Sequence, residues 1–212
     1  MSRRLEKCRL YGILDTTYLA GRNAATVAGQ MIEGGVDLIQ LRAKNQSEEE
    51  VILLARAVLA VTRRKGIPFI INDHPHVAGA TGADGAHVGQ DDMSVAEARR
   101  ILGKSALVGK STHSLQQALN AEQEDADYIG VGPIFATPTK PDYPPVGLDL
   151  VRQVRSKVRI PFFCIGGIKL KNAAEVIAAG AQRLVVVSGI LRARNPGDYC
   201  RRLKILLCGS HS

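Results

Sequence analysis

Two aspartates, a set of cations and a group of glycine and hydroxyl positions carry the chemistry open to this sequence. The apolar run Phe69-Ile70-Ile71 ends in Asn72-Asp73, and Ala86-His87-Val88-Gly89 leads to Gln90-Asp91-Asp92. Carboxylates at the ends of neighbouring strands would give hard oxygen donors to a Mg2+ ion, whose shell phosphate oxygens of a substrate would complete. Asp91 competes with Asp92 on spacing, and Asp73 could also cap a short helix starting at Pro75. His74, His76 and His87 raise the alternative of a transition metal, but their spacing fits no standard His/carboxylate cluster. Arg42 and Lys44 follow Leu38-Ile39-Gln40-Leu41, and Lys140 lies in a Pro- and Thr-rich stretch. With Asn72 they form an anion grip, in which Arg acts as a fork and Lys as a point charge. Gly166-Gly167 and Ser188-Gly189 follow the last two apolar runs and suggest a separate phosphate grip, since glycines let backbone N–H groups approach an anion. The inventory describes two phosphorylated groups: a metal-bound diphosphate and a monophosphate.

These residues are far apart in the chain, so the fold must bring them together. Seven runs that end in a polar group or glycine pair, starting at Leu38, Phe69, Ala86, Leu107, Ile129, Phe162 and Leu184, make eight strand candidates with an earlier run at Leu10 to Leu14. Helix signals alternate with them. Ser47 with Glu50, Ser94 with Glu97 and Ser114 with Gln117 all read as capping boxes. Gly35-Val36-Asp37, Gly82-Ala83-Asp84, Asp125-Ala126-Asp127 and Gly180-Ala181-Gln182 precede the second, fourth, sixth and eighth runs. This recurrence every two βα units predicts a single-domain (β/α)8 TIM barrel over residues 1–212, in preference to an open doubly wound sheet. In such a barrel the strand ends share one rim, where phosphate-binding loops commonly follow the seventh and eighth strands. The long stretch from Pro133 to Gly147 then reads as a lid or binding loop.

Composition narrows the function classes. The 212 residues are 45% hydrophobic and lack Trp, which suits a core of aliphatic residues around a buried parallel sheet. No run is long enough to span a membrane and no signal-peptide pattern follows the basic N-terminus, so a cytoplasmic location is expected. Cys8, Cys164, Cys200 and Cys208 match neither a metal motif nor a disulfide framework. The net charge of +8 resides largely at helix ends and surfaces without interleaved aromatics. That argues against a nucleic-acid partner and for a field that attracts small phosphorylated molecules. A homo-oligomer is compatible with all of this. The sequence offers no nucleophile-base-orienter triad, and Lys110, ending the fifth run, is the sole candidate for a strand-borne Schiff-base lysine.

In order along the chain, Gln40-Leu41-Arg42-Ala43-Lys44, Ile71-Asn72-Asp73, Asp84 to Asp92, Ser111-Thr112-His113-Ser114, Asp127 to Lys140, Ile165-Gly166-Gly167-Ile168 and Val187-Ser188 resemble the thiamine-phosphate synthase family over almost the whole length. The resemblance implies a transferase that joins hydroxymethylpyrimidine diphosphate to a thiazole monophosphate with loss of pyrophosphate. It implies Mg2+ on Asp73 and Asp92, and a pyrimidine diphosphate held by Arg42, Lys44, Asn72 and Lys140 with Gln40 and Ser111 nearby. Arg42, Lys44, Ser111 and Lys140 take the catalytic role. Thr137, Thr139, Gly167, Val187 and Ser188 would hold the thiazole phosphate, and Tyr11 and His87 would line the pyrimidine pocket. Lys110 departs from the family, which more often carries an apolar or small residue there; it either adds charge near the diphosphate or points away. A thiazole tautomerase of the same superfamily and a non-catalytic phosphate-ligand sensor are the rival readings. The first needs a proton-transferring His and can dispense with the diphosphate grip.

Overall fold

The computed structural model describes residues 5–139 and 143–209. Eight parallel strands form a closed barrel in the order β1 to β8. They are β1 (Leu10–Asp15), β2 (Leu38–Arg42), β3 (Phe69–Asn72), β4 (Gly85–Val88), β5 (Leu107–Thr112), β6 (Tyr128–Val131), β7 (Phe162–Cys164) and β8 (Leu184–Val186). Closure is made by the β1–β8 pair, with Leu10 opposite Leu184 and Tyr11 opposite Val185. The main covering helices are α2 (Ala24–Glu33), α3 (Glu48–Arg64), α4 (Pro75–Thr81), α5 (Val95–Leu102), α6 (Leu115–Gln123), α7 (Gly147–Lys157), α8 (Ala173–Ala178) and α10 (Pro196–Gly209). Two single-turn helices, α1 (Thr16–Leu19) and α9 (Ser188–Leu191), sit at the ends of β1 and β8.

The strands bury both faces, because side chains alternate between the barrel interior and the helix layer. Leu10, Ile39, Ile71, Val108, Ile129 and Leu184 face outward and pack beneath the helices. Tyr11, Leu38, Ile70, Leu107, Tyr128, Phe163 and Val185 form a separate inner cluster, which Leu5 joins from the segment before β1.

The strand-entry repeat has a physical cause. Gly35, Gly82 and Gly180 each take a left-handed backbone (φ 92, 72 and 108°), and Asp125 adopts the same region at 59° without glycine. At three of the four, all but Gly180-Ala181-Gln182, the aspartate two residues on then ties down the neighbouring strand. Asp37 Oδ2 accepts from Leu10 N at 2.9 Å, Asp84 Oδ2 from Phe69 N at 2.8 Å and Asp127 Oδ2 from Val108 N at 2.8 Å. Two of the three predicted capping boxes close in full, at Ser47/Glu50 and Ser94/Glu97. The third closes by half. Ser114 Oγ accepts from Gln117 N, but the Gln117 side chain reaches one residue further back and accepts from His113 N at 2.7 Å. That bond anchors His113 at the rim.

Candidate functional site

The inner face of each strand continues upward into the rim. Leu38 is followed two residues on by Gln40 and then Arg42, Ile70 by Asn72, Leu107 by Gly109 and Ser111, Tyr128 by Gly130, and Val185 by Val187. The same alternation that fills the barrel therefore turns these polar groups into one pocket of about 940 Å³, open to solvent. Gln40, Arg42, Asn72, Ser111, Thr137, Thr139, Gly167, Val187 and Ser188 all line it.

Strands β2 to β4 supply a charged sector. Arg42 stands opposite Asp15 in the β1–β2 register, and its Nη1 donates to Asp15 Oδ2 at 2.6 Å. Asp15 is fully buried, and its other oxygen accepts from Thr17 N at 3.0 Å to cap α1. The guanidinium is thus aimed by a carboxylate that is itself fixed. Lys44 Nζ lies 3.4 Å from Asp73 Oδ2. Asp73 and Asp92 come together as interacting carboxyls, whereas Asp91 turns toward Tyr143, accepting from its hydroxyl at 3.4 Å. Asp92 Oδ2 is held by Gly89 N at 2.7 Å. Burial raises the Asp73 carboxyl above the usual carboxylate range, the adjacent Asp92 raises it further, and Lys44 works in the opposite direction.

Asp73 is not a helix cap: His74 occupies that position on α4, without a side-chain cap bond. Instead Asp73 sits in the left-handed region at φ 61°, which Asp tolerates better than most residues, and its N–H donates to His87 O. His74 and His76 meet edge to face outside the pocket lining, and His76 pairs with Glu48. Among the described residues, no group of three or more His, Cys, Asp or Glu gathers as a metal cage. Lys110 points away from the pocket. It lies on the opposite strand face from Ser111, is buried, and donates from Nζ to Gly89 O at 2.7 Å. It therefore does not line the pocket and instead helps hold the loop that carries Asp92. Lys140 lies outside the described residues.

Strands β6 to β8 supply a second sector with a different character. Its lining is Thr137, Thr139, Gly166, Gly167, Val187 and Ser188. Gly167 is left-handed at φ 66°, and a Cβ there would lie 2.7 Å from Phe135 Cβ and 2.8 Å from Ala136 O. No side chain fits, because the long loop after β6 presses against the end of β7. Thr139 is anchored from across the pocket mouth by Tyr18 of α1, their hydroxyls 3.2 Å apart. Arg192, just beyond α9, lies over the Tyr18 ring at 5.0 Å.

The sequence reading passed over Asp15, Tyr128, Gln90 and Tyr18. Gln90 Nε2 donates to Ser111 O at 2.5 Å, fastening the end of β5. Asp15 does have a signal: it is an acid directly after a buried run, in register with an arginine at the same height on the next strand.

Comparison with known proteins gives the family. The family described as thiamine monophosphate synthase matches residues 10–190. The thiamine-phosphate synthase of Shouchella clausii is 48% identical over 188 residues, covering 88% of this chain and 90% of the relative. That of Chloroflexus aurantiacus is 46% identical over 200 residues, covering 94% and 92%. Among solved structures, the thiamine phosphate pyrophosphorylase from Pyrococcus furiosus superposes with a TM-score of 0.88 at 31% identity, covering 96% of this chain and 97% of that one. A 3-hexulose-6-phosphate synthase, 20% identical with a TM-score of 0.69 over 93% of this chain and 99% of that one, shares the fold. The family match spans most of this chain and identity is high over most of each relative: the chain belongs to the thiamine monophosphate synthase family of transferases.

Proposed function

We propose that this enzyme joins the methylene carbon of hydroxymethylpyrimidine diphosphate to the ring nitrogen of a thiazole monophosphate, giving thiamine phosphate and pyrophosphate. One observation carries this reading. A single pocket is lined on one side by Asn72 and an arginine clamped by Asp15, and on the other by glycines and hydroxyls, while the Asp73–Asp92 pair, outside that lining, starts at the residue after Asn72. The bond that breaks joins the methylene carbon to a diphosphate oxygen, and its electron pair leaves with pyrophosphate. The bond that forms takes the lone pair of the thiazole nitrogen. That nitrogen has no proton to lose, so the step needs no general base. The aminopyrimidine supports positive charge at the methylene carbon, which favours a dissociative displacement. Catalysis then rests on holding two substrates in line and stabilising a departing anion.

Arg42, preset by Asp15, and Lys44 face the diphosphate with Asn72; Lys140 belongs to the same grip. Gln40 and Ser111 meet the pyrimidine end. Thr137, Thr139, Gly167, Val187 and Ser188 hold the thiazole phosphate. Asp73 and Asp92 fit a Mg2+ ion. They offer oxygen donors only, and their mutual repulsion is of the kind a cation relieves. Two carboxylates suffice because Mg2+ keeps water and substrate oxygens in its shell. When bound, the ion neutralises charge growing on the leaving pyrophosphate.

The test is pyrophosphate release from the purified enzyme with each substrate alone and with both. Release should require both substrates and Mg2+, and chelation should abolish it. Isomerisation of thiazole phosphate alone would identify a tautomerase instead. Ligand binding without turnover would identify a sensor.

A further inference from the structure

Five polar side chains at the floor of the pocket form one continuous chain of hydrogen bonds across five strands. Gln40 Nε2 donates to the Tyr11 hydroxyl at 2.6 Å. The Tyr11 and Tyr128 hydroxyls lie 3.1 Å apart. The Tyr128 hydroxyl lies 3.2 Å from His87 Nδ1, and His87 Nε2 lies 3.0 Å from Ser111 Oγ. Gln40 and Ser111, the two ends, already have places in the proposed reaction. Between them, Tyr11 and His87 have been given only a lining role by the resemblance, and Tyr128 has none.

The direction of the chain follows from proton counting. An amide NH2 can only donate, so the Tyr11 oxygen accepts from Gln40. A phenol oxygen can accept twice, but only when the Tyr11 proton goes to Tyr128 does every phenol proton in the chain meet an acceptor within it. Tyr128 in turn gives its own proton to His87 Nδ1. An imidazole that accepts at Nδ1 carries its hydrogen on Nε2, which then donates to Ser111 Oγ. The hydroxyl proton of Ser111 is left to point elsewhere, and Ser111 lines the pocket. Burial raises both phenols, so their protons stay in place.

Packing holds the geometry. Tyr11, Tyr128 and Phe163 meet edge to face, with ring centroids 5.3 to 6.0 Å apart. Gly109 leaves the space that Tyr128 and His87 share: a Cβ there would lie 2.2 Å from Tyr128 Cζ and 2.5 Å from His87 Nδ1.

We propose that Tyr11 and Tyr128 are positioning residues: they hold His87 as its Nε2–H tautomer and thereby present the Ser111 hydroxyl as a hydrogen-bond donor to the diphosphate-bearing substrate. The identity of that substrate rests on the function proposed above; the polarity of the chain does not.

The direct test is 15N NMR of the histidine-labelled, substrate-free enzyme, with His87 assigned by the signal lost in His87→Gln. The expected result is an unprotonated Nδ1 and a protonated Nε2. Tyr128→Phe should replace that single tautomer by a mixture, and Tyr11→Phe, which cuts the chain one link earlier, should do so even if Tyr128→Phe fails to fold. In the two-substrate assay Tyr128→Phe should lower kcat about tenfold, as expected for loss of one aligned hydrogen bond to a charged group, with the KM for thiazole phosphate unchanged. Added to Ser111→Ala, the same change should cost less than about twofold, because its effect passes through Ser111. A hydrogen on Nδ1 in the wild-type enzyme, or a full tenfold loss in the Ser111→Ala background, would overturn the proposal. If His87 shows the Nε2–H tautomer but the enzyme joins no substrates, the proposed reaction falls and the hydrogen-bond chain stands.

Discussion

The two sides of the rim present different kinds of group to an anion. On β2 to β4 the groups are formal charges: Arg42 is braced by buried Asp15, Asp73 is paired with Lys44 and opposed by Asp92, and Asp92 is held by the Gly89 amide. On β6 to β8 they are hydroxyls and glycine backbone, placed by loop packing and by Tyr18. The contrast matches the proposed reaction. Charge on the diphosphate side changes as the bond breaks, so preset ionic groups there act on the transition state. The thiazole phosphate keeps its charge throughout, and neutral dipoles suffice to hold it. Damage to the first side should therefore appear in turnover or in the KM for the diphosphate, and damage to the second in the KM for thiazole phosphate.

The largest effect should come from the carboxylate pair. Asp73→Asn or Asp92→Asn is expected to lower turnover by more than about 100-fold at ordinary Mg2+, beyond the usual cost of losing an outer partner of a metal site. Near-normal turnover would remove the metal role from β3 and β4. Next is the brace on Arg42. Asp15→Asn keeps an acceptor for the α1 cap but removes the charge that aims the guanidinium, so the KM for pyrimidine diphosphate should rise about tenfold while that for thiazole phosphate stays put. Equal changes in both would erase the distinction between the sectors. Gly167→Ala probes the other side. With φ at 66° and Phe135 Cβ only 2.7 Å from the added carbon, thermal or urea unfolding should show a loss of about 1–3 kcal/mol. The KM for thiazole phosphate should rise about fivefold with kcat little changed, the reverse of the carboxylate variants.

The smallest effects concern pH and stability at Asp73. Only its ionised form binds a cation, and its raised pKa lets protons compete at higher pH than for an ordinary carboxylate. The Mg2+ concentration giving half-maximal rate should therefore rise as pH falls through that pKa. Stability runs the other way. A folded-state pKa above the unfolded value makes the ionised group a penalty, which is full above the folded pKa and relieved as Asp73 is protonated. Asp73→Asn keeps a residue tolerant of the left-handed backbone, so the metal-free variant should gain about 1 kcal/mol at neutral pH by denaturant unfolding. A loss would mean that the Lys44 contact outweighs burial and repulsion by Asp92.

The barrel was legible because its grammar is local. Apolar runs, capping serines and the left-handed entry triplets each act within a few residues of themselves. The rim residues were legible because they immediately follow those runs. What escaped depended on register. Asp15 reads alone as a cap for the two threonines after it; its hold on Arg42 exists because the first two strands pair at that height. Tyr128 reads as core, and its hydroxyl gains meaning only where β1, β4 and β6 bring Tyr11 and His87 to it. The choice of Asp92 over Asp91 likewise needed the loop after β4 in three dimensions. The outward turn of Lys110 was available earlier, since alternation from Leu107 through Gly109 to Ser111 already places it on the other face.

The division of the rim can be tested most directly by soaking crystals of the enzyme with pyrophosphate, thiazole phosphate and Mn2+ and locating the metal by its anomalous signal. The account predicts a peak between Asp73 and Asp92, with pyrophosphate beside Arg42 and the monophosphate at Gly167 and Ser188. A metal remote from both aspartates, or pyrophosphate seated on the β6 to β8 side, would contradict it.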